Sequence, residues 1–161
     1  MSARRIFESP GHLADAIGSS LGTSGWVSVD QQAIDRFAVA TGDDQWIHVD
    51  PERAADGPYG MTIAHGYLVL SLLPALAAEV YTVRGVRAAV NYGLDRVRFP
   101  APVRSGSRVR AAFELVSADT RSDSAVRIVV RGTVEVEGEA RPACVADTIR
   151  HLMPEPAPVT A

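Results

Sequence analysis

A chain of 161 residues has the length of one domain, which commonly spans about 100–200 residues, and with 47% apolar residues it can bury a core. Its net charge of −3 argues against a general nucleic-acid binder, which is strongly basic; the basic residues are all arginine and are scattered along the chain. The single Cys144 cannot pair within the chain, so no oxidising compartment is needed.

The N-terminal "MSARRIFESPGHL" has no apolar stretch behind its arginines and does not read as a signal peptide. "GHLADAIGSSLGTSG" predicts a short helix or turn followed by a Gly/Ser-rich loop. "WVSVD" predicts a short strand ending at Asp30, which can N-cap the next segment, "QQAIDRFAVATG". There Ile34, Phe37, Ala38 and Thr41 recur at helical spacing, and Gly42 is a plausible C-terminal stop. Asp43 follows that stop. In "VDPERAAD", Asp50 as N-cap and Pro51 at the first helical position signal another helix. "GPYGMTIAHG" reads as a loop. "GYLVLSLLPALAAEVY" reads as a helix apolar on nearly every side, hence buried all round. Its most hydrophobic part, Tyr67 to Ala78, is shorter than the roughly 20 residues of a membrane span and carries Ser71 and Pro74. A soluble, cytoplasmic protein with no membrane partner is expected.

After Tyr81 the pattern changes. "VRAAVNYGLDRVRFPAPV", "SRVRAAFELVSAD", "SAVRIVVRGTVEVEG" and "ARPACVADTIRHL" alternate and are rich in β-branched residues, with Gly, Ser, Asp and Pro between them. The expected class is α+β: an antiparallel sheet wrapped around one long, buried helix. Residues 1–152 form one domain in this reading, and 153–161 form a Pro-rich, disordered tail.

The candidate chemistry centres on "FAVATGDDQWIHVDPERA". Asp43 and His48 sit among Trp46, Ile47 and Val49, which suggests that both are half-buried. A half-buried carboxylate beside an imidazole suits general acid–base work, because burial and mutual charge move both pKa values toward the working pH. Asp44 reads as a surface carboxylate, and Gln45 as an amide that supports the loop by bridging its backbone groups. At His65-Gly66 the loop becomes the apolar helix. His65 reads as structural. The Gly66 backbone N–H, at a helix N-terminus, is a candidate oxyanion donor. Asp43, Asp44, His48, Asp50 and His65 lack the spacing of a strong metal motif, so no metal is expected. Arg98, Arg104, Arg108 and Arg110 read singly as a solvated strand face and collectively as able to meet an anionic cofactor arm. No GxGxxG or P-loop pattern is present.

"TGDDQWIHVDPERA" resembles the hydratase motif of MaoC-like dehydratases and R-specific enoyl-CoA hydratases, roughly A-x-x-[TS]-G-D-x-N-P-[LI]-H-x-D-x-x-x-A. "GPYGMTIAHGYLVLSLLPAL" resembles the segment that opens the central helix of their hot-dog fold, and "VRFPAPVRSGSRVR" the strand-turn-strand that follows. The resemblance covers roughly residues 25–150. Gln45 and Trp46 depart from the commoner Asn-Pro. The resemblance implies a hot-dog fold, with Asp43 and His48 binding and activating one water and the Gly66 N–H holding the thioester oxygen. It implies reversible addition of water to trans-2-enoyl-CoA, with no cofactor apart from the coenzyme A (or acyl carrier protein) of the substrate. It also implies at least a homodimer, with the two sheets joined edge to edge. A hot-dog thioesterase would need a carboxylate on or near the central helix, and Gly66 to Ala78 has none. A non-catalytic acyl-thioester-binding subunit could have lost Asp43 or His48, and both are present.

Overall fold

The computed structural model describes residues 4–120 and 125–155. In chain order it contains β1 (Arg5–Phe7), a 3-10 turn (Pro10–Ala16), β2 (Ser20–Thr23), β3 (Val27–Val29), α1 (Gln31–Thr41), α2 (Trp46–Val49), α3 (Pro51–Ala55), α4 (Gly66–Ser71), α5 (Leu73–Val80), β4 (Tyr81–Val83), β5 (Val86–Arg98), β6 (Ser107–Thr120), β7 (Val126–Val136) and β8 (Cys144–Pro154). The main sheet runs β2-β6-β7-β8-β5, with β3 also paired to β6. Every pairing in it is antiparallel. A small parallel pair, β1 with β4, stands apart. No helix among the described residues is long and apolar enough to cross a membrane.

The helix signals resolve as local physics dictates. The Asp30 carboxylate accepts from the Ala33 N–H at 2.8 Å, and α1 stops at Gly42, whose φ of 76° is left-handed. Asp50 caps α3 through the Arg53 N–H at 3.0 Å, with Pro51 behind it. Part of the expected Gly/Ser loop is instead strand β2. There Leu21 is buried and the backbone pairs with β6 across a bulge between Ser20 and Gly22. Partner strand and core, rather than propensity, decide this segment.

The central helix departs from expectation twice. It is interrupted at Leu72, between α4 and α5. Pro74 has no N–H to give to the Leu70 carbonyl, and its ring crowds that oxygen. Nor is the helix buried all round. Val69, Leu73, Leu76, Ala77 and Val80 face the core, whereas Tyr67, Ser71, Pro74 and Ala78 are exposed. The buried face packs with Val109, Leu115, Ile128, Val130 and Val134 of the sheet in one core. At the C-terminal end β8 runs to Pro154, with Met153 opposite Ala88 and Pro154 opposite Val86. Those two residues therefore belong to the sheet rather than to the Pro-rich tail, and residues 156–161 lie outside the described residues. An antiparallel sheet packed around a central helix is the hot-dog architecture.

Candidate active site

Asp43, His48 and His65 arrive from three local structures. Gly42 turns the chain out of α1 and leaves Asp43 in the following loop. His48 lies on the single turn of α2, and His65 immediately precedes α4. One nitrogen of each histidine and a carboxylate oxygen of Asp43 come within 4.8 Å of one another. The two imidazoles stack with centroids 3.8 Å apart, and Phe37 tilts against His65 at 5.0 Å. Both histidines are buried, whereas Asp43 is exposed. The expectation of a half-buried Asp43 is thus corrected: the left-handed turn at Gly42 leaves the carboxylate at the mouth of the cluster.

Backbone carbonyls assign the ring protons, because a carbonyl can only accept. His48 Nδ1–H donates to the Ile63 carbonyl at 2.7 Å, which leaves Nε2 with a free lone pair when the ring is neutral. His65 Nε2–H donates to the Asp43 carbonyl at 2.8 Å. His65 Nδ1 is buried without a hydrogen-bond partner among the described residues. Burial lowers the His48 pKa below its ordinary 6.5; the proximity of His65 lowers it further, while the Ile63 carbonyl and Asp43 oppose the shift. His48 is therefore a neutral imidazole near pH 7.

The loop is held by residues that the sequence did not single out. Gln31 Nε2 donates to the His48 carbonyl at 2.7 Å, and Thr62 Oγ1 donates to Gln31 Oε1. Gln45 does not bridge the loop: its side chain is exposed and makes no hydrogen bond among the described residues. The Gln45 carbonyl alone takes part, accepting from the His48 N–H at 2.9 Å. Trp46 anchors the turn instead. Its ring lies under the Arg53 guanidinium at 4.5 Å and so close to Gly57 that a Cβ there would stand 2.9 Å from it. No sequence spacing marks Gln31 or Thr62, because they meet across 31 positions. Asp44 is exposed, and Asp50 is engaged as the α3 cap.

Gly66 opens α4 beside His65, and its N–H has no acceptor among the described residues. The Phe99 ring covers its Cα, and a Cβ built there would meet the ring at 3.0 Å. A cavity of about 310 Å³ is lined by His48, Tyr59, Ile63, Gly66 and Phe99. Tyr67 packs edge-on to Phe99, with centroids 6.0 Å apart. Beyond it runs a larger groove of about 600 Å³, lined by Phe37, Tyr67, Leu70, Pro74, Tyr92 and Leu94 among others. The surplus apolar positions of the central helix are the wall of this groove, which explains a helix apolar on faces it does not bury.

Three of the four arginines expected to meet an anion together are already neutralised. Arg104 pairs with Glu139 at 3.6 Å, Arg108 with Glu137 at 3.0 Å and Arg110 with Glu135 at 2.8 Å. Arg98 donates to the carbonyl of its neighbour Val97. Cys144 is buried, and burial pushes its thiol up to about 11, so it is no nucleophile near neutral pH.

A family profile described as a MaoC like domain matches residues 12–140. The chain is 57% identical over 145 residues to 3-hydroxyacyl-thioester dehydratase Z of Mycobacterium tuberculosis, covering 90% of this chain and 96% of that relative. It is 49% identical over 149 residues to nodulation protein N of Rhizobium leguminosarum bv. viciae, covering 89% and 92% of the two chains. Among solved structures, the (R)-hydratase from A. caviae involved in PHA biosynthesis shares the fold, with a TM-score of 0.69 at 20% identity over 84% of this chain and 96% of that one.

Proposed function

The chain belongs to the MaoC-like dehydratase family, and from that premise we propose that it is an R-specific enoyl-CoA hydratase, adding water reversibly to trans-2-enoyl thioesters to give 3-hydroxyacyl thioesters. The observation that carries this reading is the buried, neutral His48, with Nε2 free, beside an exposed carboxylate at Asp43. Hydration needs a base for the water that attacks Cβ, an acid that delivers a proton to Cα, and a donor for the enolate oxygen. In this reading one water lies between the Asp43 carboxylate and His48 Nε2, which together accept its proton and return one to Cα. The Gly66 N–H takes the thioester oxygen, a contribution of roughly 10²–10³-fold in rate when such a donor is well placed. No step requires a cofactor beyond the thioester's own carrier, and the acyl chain lies in the groove along α4 and α5.

Incubation with crotonyl-CoA tests the reading, with loss of the conjugated enoyl absorbance and release of free thiol followed separately. Loss of absorbance without thiol is the expected result. Thiol release would instead identify a thioesterase. The one acidic residue in α4 and α5, Glu79, accepts from the Gly25 N–H at 3.1 Å and is thereby occupied. Saturable binding of the thioester with neither change would identify a non-catalytic binding subunit.

The convergence of Asp43, His48 and His65 supports a second reading, in which the three hold a metal ion. Exhaustive dialysis against EDTA separates the two. Full activity afterwards is the expected outcome, and loss restored by added zinc would establish the metal.

A further inference from the structure

Arg84, Arg104, Arg108, Arg110 and Arg131 each face a carboxylate. Arg4, Arg87 and Arg150 face none among the described residues, yet they line one pocket of about 280 Å³ between α5, β4, β5 and β8. No Asp or Glu contributes to that lining. Three guanidiniums around one concavity, with no acid to offset them, focus a positive potential there even though the chain as a whole is negative.

A second, independent feature marks the same pocket. Tyr81, only 7% exposed, lines it. Its hydroxyl interacts with the Arg150 side chain, but neither that hydroxyl nor Arg150 Nε, both buried, has a partner at full hydrogen-bond geometry among the described residues. Burial raises the Tyr81 phenol above its ordinary 10.0, outweighing the charge of Arg150 and its side-chain hydrogen bond, which both pull the other way, so the O–H keeps its proton. Buried polar groups short of well-aligned partners are costly. A ligand group with several acceptor oxygens would satisfy both at once, and a guanidinium binds such a group in a forked geometry.

Arg150 also lines the apolar groove of about 600 Å³, so it stands where that groove meets the cationic pocket. Between Pro74 and Ala77 the helix has advanced about 12–16 Å from Gly66, at about 1.5 Å per residue. We propose that Arg4, Arg87, Arg150 and Tyr81 form a binding site for an anionic group, a carboxylate or a phosphate, carried by the thioester substrate. The identity of the molecule that carries the anion rests on the proposed thioester reaction; the site itself does not. The anion is either a carboxylate at the far end of the acyl chain or a phosphate of the carrier.

The first test is independent of turnover. Thermal unfolding is followed with adipate and with inorganic phosphate, for wild type and for Arg87→Gln and Arg150→Gln. Arg87 is exposed, so its variant keeps the comparison valid if Arg150→Gln folds poorly. The expected result is a concentration-dependent rise in Tm, beyond that given by chloride at matched ionic strength, that both folded variants lose. No specific rise, or a rise that Arg87→Gln retains in full, overturns the proposal whether or not the protein is a hydratase.

The second test assigns the source. kcat/KM is measured for four trans-2-enoyl thioesters: equal-length chains ending in methyl or carboxylate, each on coenzyme A and on N-acetylcysteamine. If the chain end carries the anion, the carboxylate-to-methyl ratio falls about 10-fold or more in the variants. If the carrier does, the coenzyme A-to-N-acetylcysteamine ratio falls instead. In an active enzyme, no change in either ratio overturns the assignment to substrate. If none of the thioesters is hydrated but the anion effect holds, the site stands and the proposed reaction fails.

Discussion

One carbonyl oxygen, that of Ile63, decides what His48 can do. By accepting from Nδ1–H at 2.7 Å it leaves Nε2 free in the neutral ring, and burial keeps the ring neutral by lowering its pKa. The proposed base form therefore persists to lower pH than a free imidazole at 6.5 allows. The acid limb of kcat/KM for crotonyl-CoA is expected below pH 6.5, and an inflection above that value would contradict a buried, neutral base. The same shift acts on stability. The unfolded chain takes up a proton at 6.5 that the folded chain resists, so this contribution is complete above 6.5 and is lost as pH falls toward the lowered folded value. Asp43→Asn and His48→Ala should each lower kcat by roughly 10²–10⁴-fold, the range for a lost general acid or base. For Asp43→Asn, whose side chain is exposed, the melting temperature should stay near wild type. Near-normal turnover in either variant would remove the pair from the mechanism. Both residues were legible in the sequence, because the motif fixes them five positions apart. His65 was not legible as their neighbour: its contacts are a ring stack and a bond to a main-chain carbonyl 22 positions away, and no residue pattern encodes either.

Among the elements, α1 is the one whose two ends could both be read in advance. A carboxylate three residues before a backbone N–H and a glycine that accepts φ of 76° are local requirements, so the sequence carries them openly. At Gly42 a built Cβ meets nothing within 4 Å. Gly42→Ala therefore tests the backbone alone: urea unfolding should show a loss of about 1–2 kcal/mol, the usual penalty for a side chain in the left-handed region. Gly42→Asn should lose less, since Asn tolerates that region. Equal stability in all three proteins would mean that the loop to Asp43 relaxes into another conformation. Two elements depart from expectation, one for a non-local reason and one for a local reason. β2 is a strand because β6 offers it hydrogen bonds and the core accepts Leu21. The central helix breaks for a local reason: Pro74 lacks an N–H, and the helix is interrupted at Leu72.

At the scale of the whole molecule, one edge of the sheet is unfinished. β5 ends the strand order, pairs only with β8, and runs for 13 residues. Nine of its 13 residues are exposed, including Val90, Tyr92 and Leu94, and none is buried. A long edge with apolar side chains on display is a template for another chain, and proteins that remain monomeric blunt such edges with charge, proline or covering segments. Here Tyr92 and Leu94 also line the apolar groove beside the central helix, so whatever covers the edge also closes that groove. A second copy meeting β5 to β5 about a twofold axis pairs the open backbone groups of both chains and encloses both grooves. Alternation along "VRAAVNYGLDRVR" predicted a strand but not its position at the edge, because position depends on which strands remain for it to pair with. Sedimentation should therefore give a particle of twice the 17.2 kDa chain mass. Val90→Asp places a charge on the shared edge without touching Asp43, His48 or Gly66. It should shift the protein toward monomer and weaken turnover of long-chain enoyl thioesters more than that of crotonyl-CoA, since the short chain needs little of the groove. A wild-type monomer at working concentrations, or a Val90→Asp protein that remains fully dimeric, would place the contact on some other surface.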